Sequence, residues 1–193
     1  MNILILGAGG IGGYFGAHLI RAGANVTYLV RDQRKALIDA QGLRVEPPQG
    51  AFVVQPRTVT AQDVQPKYDL ILLAPKSYDL HDALQSLKGA LGKGTILPFL
   101  NGRDHLDTLD AMLGQERVMG GVAHIAATIT PEGAIRQLTE MHRLTVGARH
   151  PSHQQLASDF IALCRKAPFD SALVDDIEQV LWDKWVFLAT LAG

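Results

Sequence analysis

The sequence holds 193 residues, 47% of them hydrophobic, with 18 lysines and arginines against 19 aspartates and glutamates, for a formal net charge of −1. That length supports a well-buried core and roughly one domain, or one domain and part of another. Near-neutral charge gives no electrostatic footprint for nucleic acid. The single cysteine, Cys164, excludes an intramolecular disulfide and fits a reducing compartment, and no apolar run reaches membrane-spanning length, so a cytoplasmic protein is expected.

The first stretch carries the strongest signal. Ile3 to Leu6 is a run of aliphatic residues that stops at Gly7, as a buried parallel strand would. Gly7-Ala8-Gly9-Gly10-Ile11-Gly12 then matches G-x-G-x-x-G. Gly7 allows a tight turn, Gly9 lets backbone approach a pyrophosphate, and Gly12 lets the next helix lie close to the strand. A helix N-terminus at this point offers free N–H groups and a partial positive charge to phosphates. Residues 14–23 have helical character with Gly23 as a stop, and Val26 to Val30 predicts a second strand. This makes a β-α-β unit of about 30 residues, the length such a unit needs.

The end of the second strand bears on the cofactor. A carboxylate near this point would bond a ribose 2′-hydroxyl, as in an NAD site; here Arg31 occupies that position and Asp32 follows. A guanidinium pairs with a 2′-phosphate in bidentate fashion, which favours NADP(H). The alternative is that Arg31 merely opens the next helix and Asp32 bonds the ribose, giving NAD.

Residues 33–41 predict a short helix with Arg34 and Lys35 in its polar part. Residues 42–54 alternate around Pro47-Pro48-Gln49-Gly50 and predict a hairpin, expected to be a surface insertion, and Pro56 and Pro66 bound a further loop. Tyr68 to Lys76 is another buried-strand signal, and Lys76 falls at its carboxyl end, where ligands of open α/β sheets sit. A lysine there can contact a cofactor ribose or phosphate or an anionic substrate; a solvated strand-end lysine is the bland alternative. Residues 77–90 predict a helix with Ser77 as a cap. Residues 95–102 repeat the strand-then-turn pattern, with Pro98 awkward in a central strand. Asn101 again falls at the carboxyl end, where its amide can bond both cofactor and a substrate carbonyl or hydroxyl, or simply form an Asn-Gly turn.

Residues 118–126 predict a strand near the same edge, with small Ala126 leaving room for a nicotinamide ring. A Pro-Glu-Gly turn then predicts a hairpin over 128–135, 144–147 a last strand, and 153–166 a helix with Cys164 as core packing. His105 and His124 lack metal-ligand spacing, and no metal site is expected. Residues 175–193 predict one helix, acidic at its start and apolar on nearly all faces from Leu181. A helix of that kind is normally covered by others, which predicts either self-association into a homo-oligomer or a missing helical domain. Lys184 is the one cation in this apolar run; desolvation suits a lysine to general-acid work, while a snorkelling lysine is the alternative.

Together these residues resemble the ketopantoate reductase (2-dehydropantoate 2-reductase) family. The marks are the glycine turn at 7–12, Arg31 after the second strand, Lys76 in Ala-Pro-Lys-Ser, Asn101-Gly102, Met119-Gly120 with His124-Ile125-Ala126, and Leu181-Trp182-Asp183-Lys184. The resemblance implies a Rossmann-type, doubly wound, mostly parallel α/β sheet followed by the first helix of a truncated all-α C-terminal domain, divided as 1–170 and 171–193. It implies an NADPH-dependent reduction of a small-molecule 2-keto acid, ketopantoate to pantoate in pantothenate biosynthesis. Gly7 to Gly12, Arg31, Lys76, Asn101 and Ala126 would line the NADP(H), Asn101 and Lys184 would meet the substrate, and Lys184 would give the proton.

There are two departures. Where pantoate-forming members often carry asparagines four and eight residues after the lysine, this chain has Leu188 and Ala192, which leaves the choice between ketopantoate and a different 2-keto acid open. The family runs to about 300 residues, so this chain is expected to be weakly active or inactive alone. Another two-domain dehydrogenase of β-hydroxyacid type and a non-catalytic nucleotide-binding module are the competing readings.

Overall fold

The computed structural model describes residues 1–75 and 80–192. The chain opens with strand β1 (Asn2–Leu6), helix α1 (Gly10–Arg21), β2 (Asn25–Leu29), α2 (Asp32–Gln41), the short strands β3 (Leu43–Glu46), β4 (Phe52–Val54) and β5 (Arg57–Val59), and β6 (Leu70–Leu73). It continues with α3 (Leu80–Ser86), β7 (Thr95–Pro98), α4 (Asp104–Leu113), the long pair β8 (Gly120–Ile129) and β9 (Ile135–Gly147), α5 (Gln154–Cys164), β10 (Asp170–Val174) and α6 (Ile177–Ala192).

The first sheet has the order β5-β2-β1-β6-β7, and all its pairs are parallel. Its central strands β1, from Ile3 on, and β6 are aliphatic and buried on both faces, because helices cover both sides of a parallel sheet. Pro98 disturbs little: it ends an edge strand, where a missing donor is tolerated.

The second sheet has the order β10-β9-β3-β4, with β8 pairing antiparallel to β9 around a tight turn at Gly133 (φ +86°). The 42–54 hairpin forms as expected, but it is not a surface insertion. Its strand β3 pairs with β9, and Leu43, Val45 and Val54 enter the main core. Period-two alternation predicts a strand with one buried face; it does not say which distant strand supplies the partner. Strands β5 and β10 complete the two sheets and escaped the sequence reading, β5 because it has only three residues behind Pro56.

Helix α1 lies between the sheets, which is why every residue from Gly12 to Leu19 is buried. On one side a Cβ at Gly16 would collide with the Tyr28 hydroxyl and Ile5; on the other, Gly13 faces Ile135. The buried Tyr28 hydroxyl donates to the Gly12 and Gly13 carbonyls, each 3.2 Å away. A second apolar layer, with Leu4, Ile71, Leu84 and Leu109, fills the opposite face of the first sheet and takes in Ile177 and Leu181 of α6. Cys164 is buried in the core, and desolvation pushes its thiol up to about 12, so it packs as a small hydrophobe. Among the described residues no helix is long and apolar enough to cross a membrane.

Candidate functional site

Each glycine of the turn has a distinct geometric reason. Gly7 has φ +88°, the left-handed region that favours glycine, and its N–H bonds the Leu29 carbonyl at 2.9 Å. At Gly12 a Cβ would stand 2.6 Å from the Gly7 carbonyl oxygen and 2.9 Å from Ile5, so helix α1 packs at this distance only without a side chain there. At Gly9, the residue preceding α1, a Cβ would meet nothing within 4 Å: the backbone faces open space. Gly10 backs onto β8, where a Cβ would lie 2.8 Å from the Ala127 carbonyl oxygen.

That open space is a cleft of about 630 Å³, within the ordinary range for small-molecule sites. Gly7, Ala8, Gly9, Arg31 and Asp32 line it, as do Pro75 and Ile129. Gly10, Ile11 and Gly12 form the first turn of α1 behind it. Arg31 directly precedes α2, has an extended backbone (ψ 155°) and is exposed at the cleft wall. Lys76 falls outside the described residues.

Two parts of this wall were missed by sequence reasoning. Arg34 lines the cleft and donates to the Ala8 carbonyl (3.1 Å) and the Gly133 carbonyl (2.8 Å), tying the glycine turn to the β8–β9 turn. Its Nε is buried without a partner among the described residues, and burial lowers its pKa from the ordinary guanidinium value. No local signal marked it: Arg34 is a charged residue in the first turn of a polar helix. Thr60, Ala61 and Gln62, following β5, close another side of the cleft; nothing in their identities announces it.

Asn101, Ala126 and Lys184 are not among the residues that line this cleft. Ala126 lies on β8 opposite an irregularity between Ile125 and Ala127. Asn101 is exposed just past β7, and a Cβ at its neighbour Gly102 would sit 3.6 Å from the Trp185 ring of α6. Lys184 is half-buried, and its Nζ donates to the Ala123 carbonyl on β8 at 2.8 Å. Desolvation pushes its pKa down to about 8, because an ammonium is disfavoured where water is excluded.

Strand β8 joins the two ends. Lys184 touches it at Ala123 and the glycine turn at Ala127, four residues or about 13 Å apart along a strand. Helix α6 is seated on this strand by a notch. Gly120 and Gly147 pair across β8 and β9, and a Cβ at either would lie 2.6 Å from Ile177. Its first turn is held by Arg149, nearly fully buried, which pairs with Asp110 through Nη2 at 2.7 Å and Nη1 at 2.9 Å and with Glu178 through Nε at 3.0 Å. Around Lys184, Trp182, Trp185, Val186 and Phe187 are exposed.

A parallel sheet with flanking helices and a glycine turn opening α1 defines a Rossmann-type α/β protein. The chain belongs to the ketopantoate reductase PanE/ApbA family, whose model matches residues 3–151. It is 29% identical over 194 aligned residues to an uncharacterized oxidoreductase, YkpB, of Bacillus subtilis, covering 100% of this chain and 64% of that protein. It is 28% identical over 185 residues to a 2-dehydropantoate 2-reductase of Pyrococcus abyssi, covering 95% of this chain and 60% of the relative. The crystal structure of 2-dehydropantoate 2-reductase from Porphyromonas gingivalis superposes with a TM-score of 0.87 at 28% identity, over 100% of this chain and 70% of that one. The chain thus spans about three-fifths of the length of the curated relatives it matches.

Proposed function

We propose that the protein is the cofactor half of an NADPH-dependent 2-keto acid reductase together with the opening helix α6, the division falling after β10 at residue 174 rather than at the expected 170, with 2-dehydropantoate as the first substrate to test. One observation carries this reading: a desolvated ammonium, Lys184, stands on the same strand that backs the glycine turn. The names of the relatives, several of them 2-dehydropantoate 2-reductases, support the substrate class.

A nicotinamide dinucleotide fits the residues present. The open face of Gly9, the N-terminal N–H groups of α1 and the uncrowded cleft beside them suit a pyrophosphate. Arg31 on the cleft wall suits a 2′-phosphate better than a 2′-hydroxyl; Asp32 beside it is the group that would favour NAD. When bound, the cofactor supplies the hydride.

This chain's own residues orient and protonate. Hydride arriving at a carbonyl carbon builds negative charge on oxygen, which an adjacent ammonium stabilises and then neutralises with a proton. Lys184 can do both: burial weakens its hold on the proton, and the Ala123 carbonyl fixes its direction. In this reading Asn101 would meet the substrate and Ala126 would leave room for the nicotinamide ring.

The test is a titration of the protein with NADPH and with NADH, followed by single-turnover oxidation with a panel of 2-keto acids including 2-dehydropantoate. NADPH binding at least tenfold tighter, with loss of reduced-nicotinamide absorbance on mixing, is expected. Equal binding of the two dinucleotides overturns the Arg31 assignment, and dinucleotide binding with no 2-keto acid reduced overturns the reductase.

A further inference from the structure

The face of β8 and β9 that carries α6 holds a guanidinium, Arg143, and an imidazole, His124, level with Lys184. Gly120 and Gly147 pair and both face Ile177 of α6. Side chains alternate along a strand, so Val122 and Thr145 follow on that face, and then His124 and Arg143. Directly opposed residues on antiparallel strands have Cβ atoms about 5 Å apart on the same face. On α6, Ile177, Leu181 and Lys184 form one stripe, and Leu188 is the next residue along it. The helix therefore carries the Lys184 amine to the level of the His124–Arg143 pair, in agreement with its bond to the Ala123 carbonyl.

The charges confirm that the three groups are neighbours. Burial first, then the Lys184 and Arg143 cations, hold the His124 imidazole below its usual range. Its Nδ1 is buried without a hydrogen-bond partner among the described residues. Arg143 is exposed and makes no ion pair among the described residues, although Asp170 is its neighbour across β10. Two cations, Lys184 and Arg143, flank a neutral imidazole with an unpartnered ring nitrogen, an arrangement that suits an anion arriving from outside.

We propose that Arg143, with His124 beside it, receives the carboxylate of the 2-keto acid while Lys184 meets its keto oxygen, and that Leu188, one turn beyond Lys184, borders the rest of the substrate and favours an apolar tail. This rests on the reductase reading above. A carboxylate one bond from the ketone needs its own cation, since a single ammonium cannot both neutralise it and give a proton to the keto oxygen. A guanidinium accepts a carboxylate through two parallel N–H bonds, which would set the face of the carbonyl presented to the hydride.

The test uses equilibrium binding to the protein saturated with oxidised dinucleotide, with two probes: oxamate, an inert isostere of a 2-keto acid, and oxamide, its neutral counterpart. Wild type is expected to bind oxamate at least tenfold tighter than oxamide. Arg143→Met is expected to weaken oxamate about 10- to 100-fold, as loss of a charge-assisted bond does, to leave oxamide and dinucleotide binding unchanged, and to be partly rescued by Arg143→Lys. His124→Asn is expected to give a smaller loss of the same kind. Unchanged oxamate binding in Arg143→Met, with 2-keto acids still reduced, overturns this assignment alone. A wild type that binds dinucleotide but neither probe, and reduces no 2-keto acid, overturns the reductase reading and this assignment with it.

Discussion

At the front of the cleft the chain presents backbone: Gly7 in a left-handed conformation, Gly9 facing open space, and Gly12 pressed against the strand it has just left. At the back, the other end of this stretch of β8, it presents a side chain, Lys184, which is not among the residues lining the cleft and whose position depends on a helix seated on two strands from another sheet. The front is specified within about 30 consecutive residues, and its tolerance to substitution is set by steric contact. The back is assembled from segments 61 residues apart in sequence, and its chemistry is set by desolvation. The two ends should therefore fail in different ways.

The largest expected effect lies at the back. Lys184→Ala should slow single-turnover reduction about 100- to 10,000-fold, the usual contribution of a positioned acid, while the dinucleotide affinity stays unchanged. The same lysine marks stability. Its folded pKa, about 8, lies below its ordinary value of 10.5, so between those values the unfolded chain binds more protons and stability rises with pH. Lys184→Met should remove that rise in thermal melts recorded across the window.

Next come the two arginines of the front wall. Arg31→Ala should weaken NADPH about 10- to 100-fold, in line with a lost charged hydrogen bond, and leave NADH untouched. Arg34→Met should weaken both dinucleotides alike, because Arg34 holds the Ala8 and Gly133 carbonyls that shape the turn. Fluorescence titration with both cofactors distinguishes the two patterns.

The glycines sharpen the contrast between packing and binding. Gly12→Ala should destabilise the fold by about 1–3 kcal/mol, the cost of overpacking, and lower Tm. Gly9→Ala should leave stability within about 0.5 kcal/mol but reduce dinucleotide affinity, since its added methyl enters only the open space. The smallest effect is expected from His18, buried on α1 with both ring nitrogens unpartnered among the described residues. Burial, then His142 and Arg21, push it down to about 4. Stability is accordingly lost as pH falls from about 6.5 toward that value. His18→Phe should flatten part of that acid slope in pH-dependent denaturation; His105, also held at about 4, keeps the rest.

What was legible in the sequence follows the same division. The β1–α1–β2 unit, α2, the β3–β4 hairpin and the long final helix were visible because hydrophobic period, glycines and turn residues specify them locally. The partnership of the hairpin with β9, the strands β5 and β10, and the seat of α6 depend on tertiary contacts that no local pattern encodes. Gly7, Gly9, Arg31 and Lys184 could be singled out because their residue types are unusual for their surroundings. Arg34 could not: a charged residue on a polar helix face looks solvated until its guanidinium is found between two carbonyls.

The notch formed by Gly120 and Gly147 has a further consequence. Two absent methyl groups on facing strands let Ile177 sink into the sheet, and so they set the altitude of everything farther along α6. The reach of the lysine amine is thus calibrated seven residues upstream, by atoms that are not there. Alanine at either glycine would lift the helix like a shim under a beam, and the proton would be offered from too high above the strand without any reacting group having been altered.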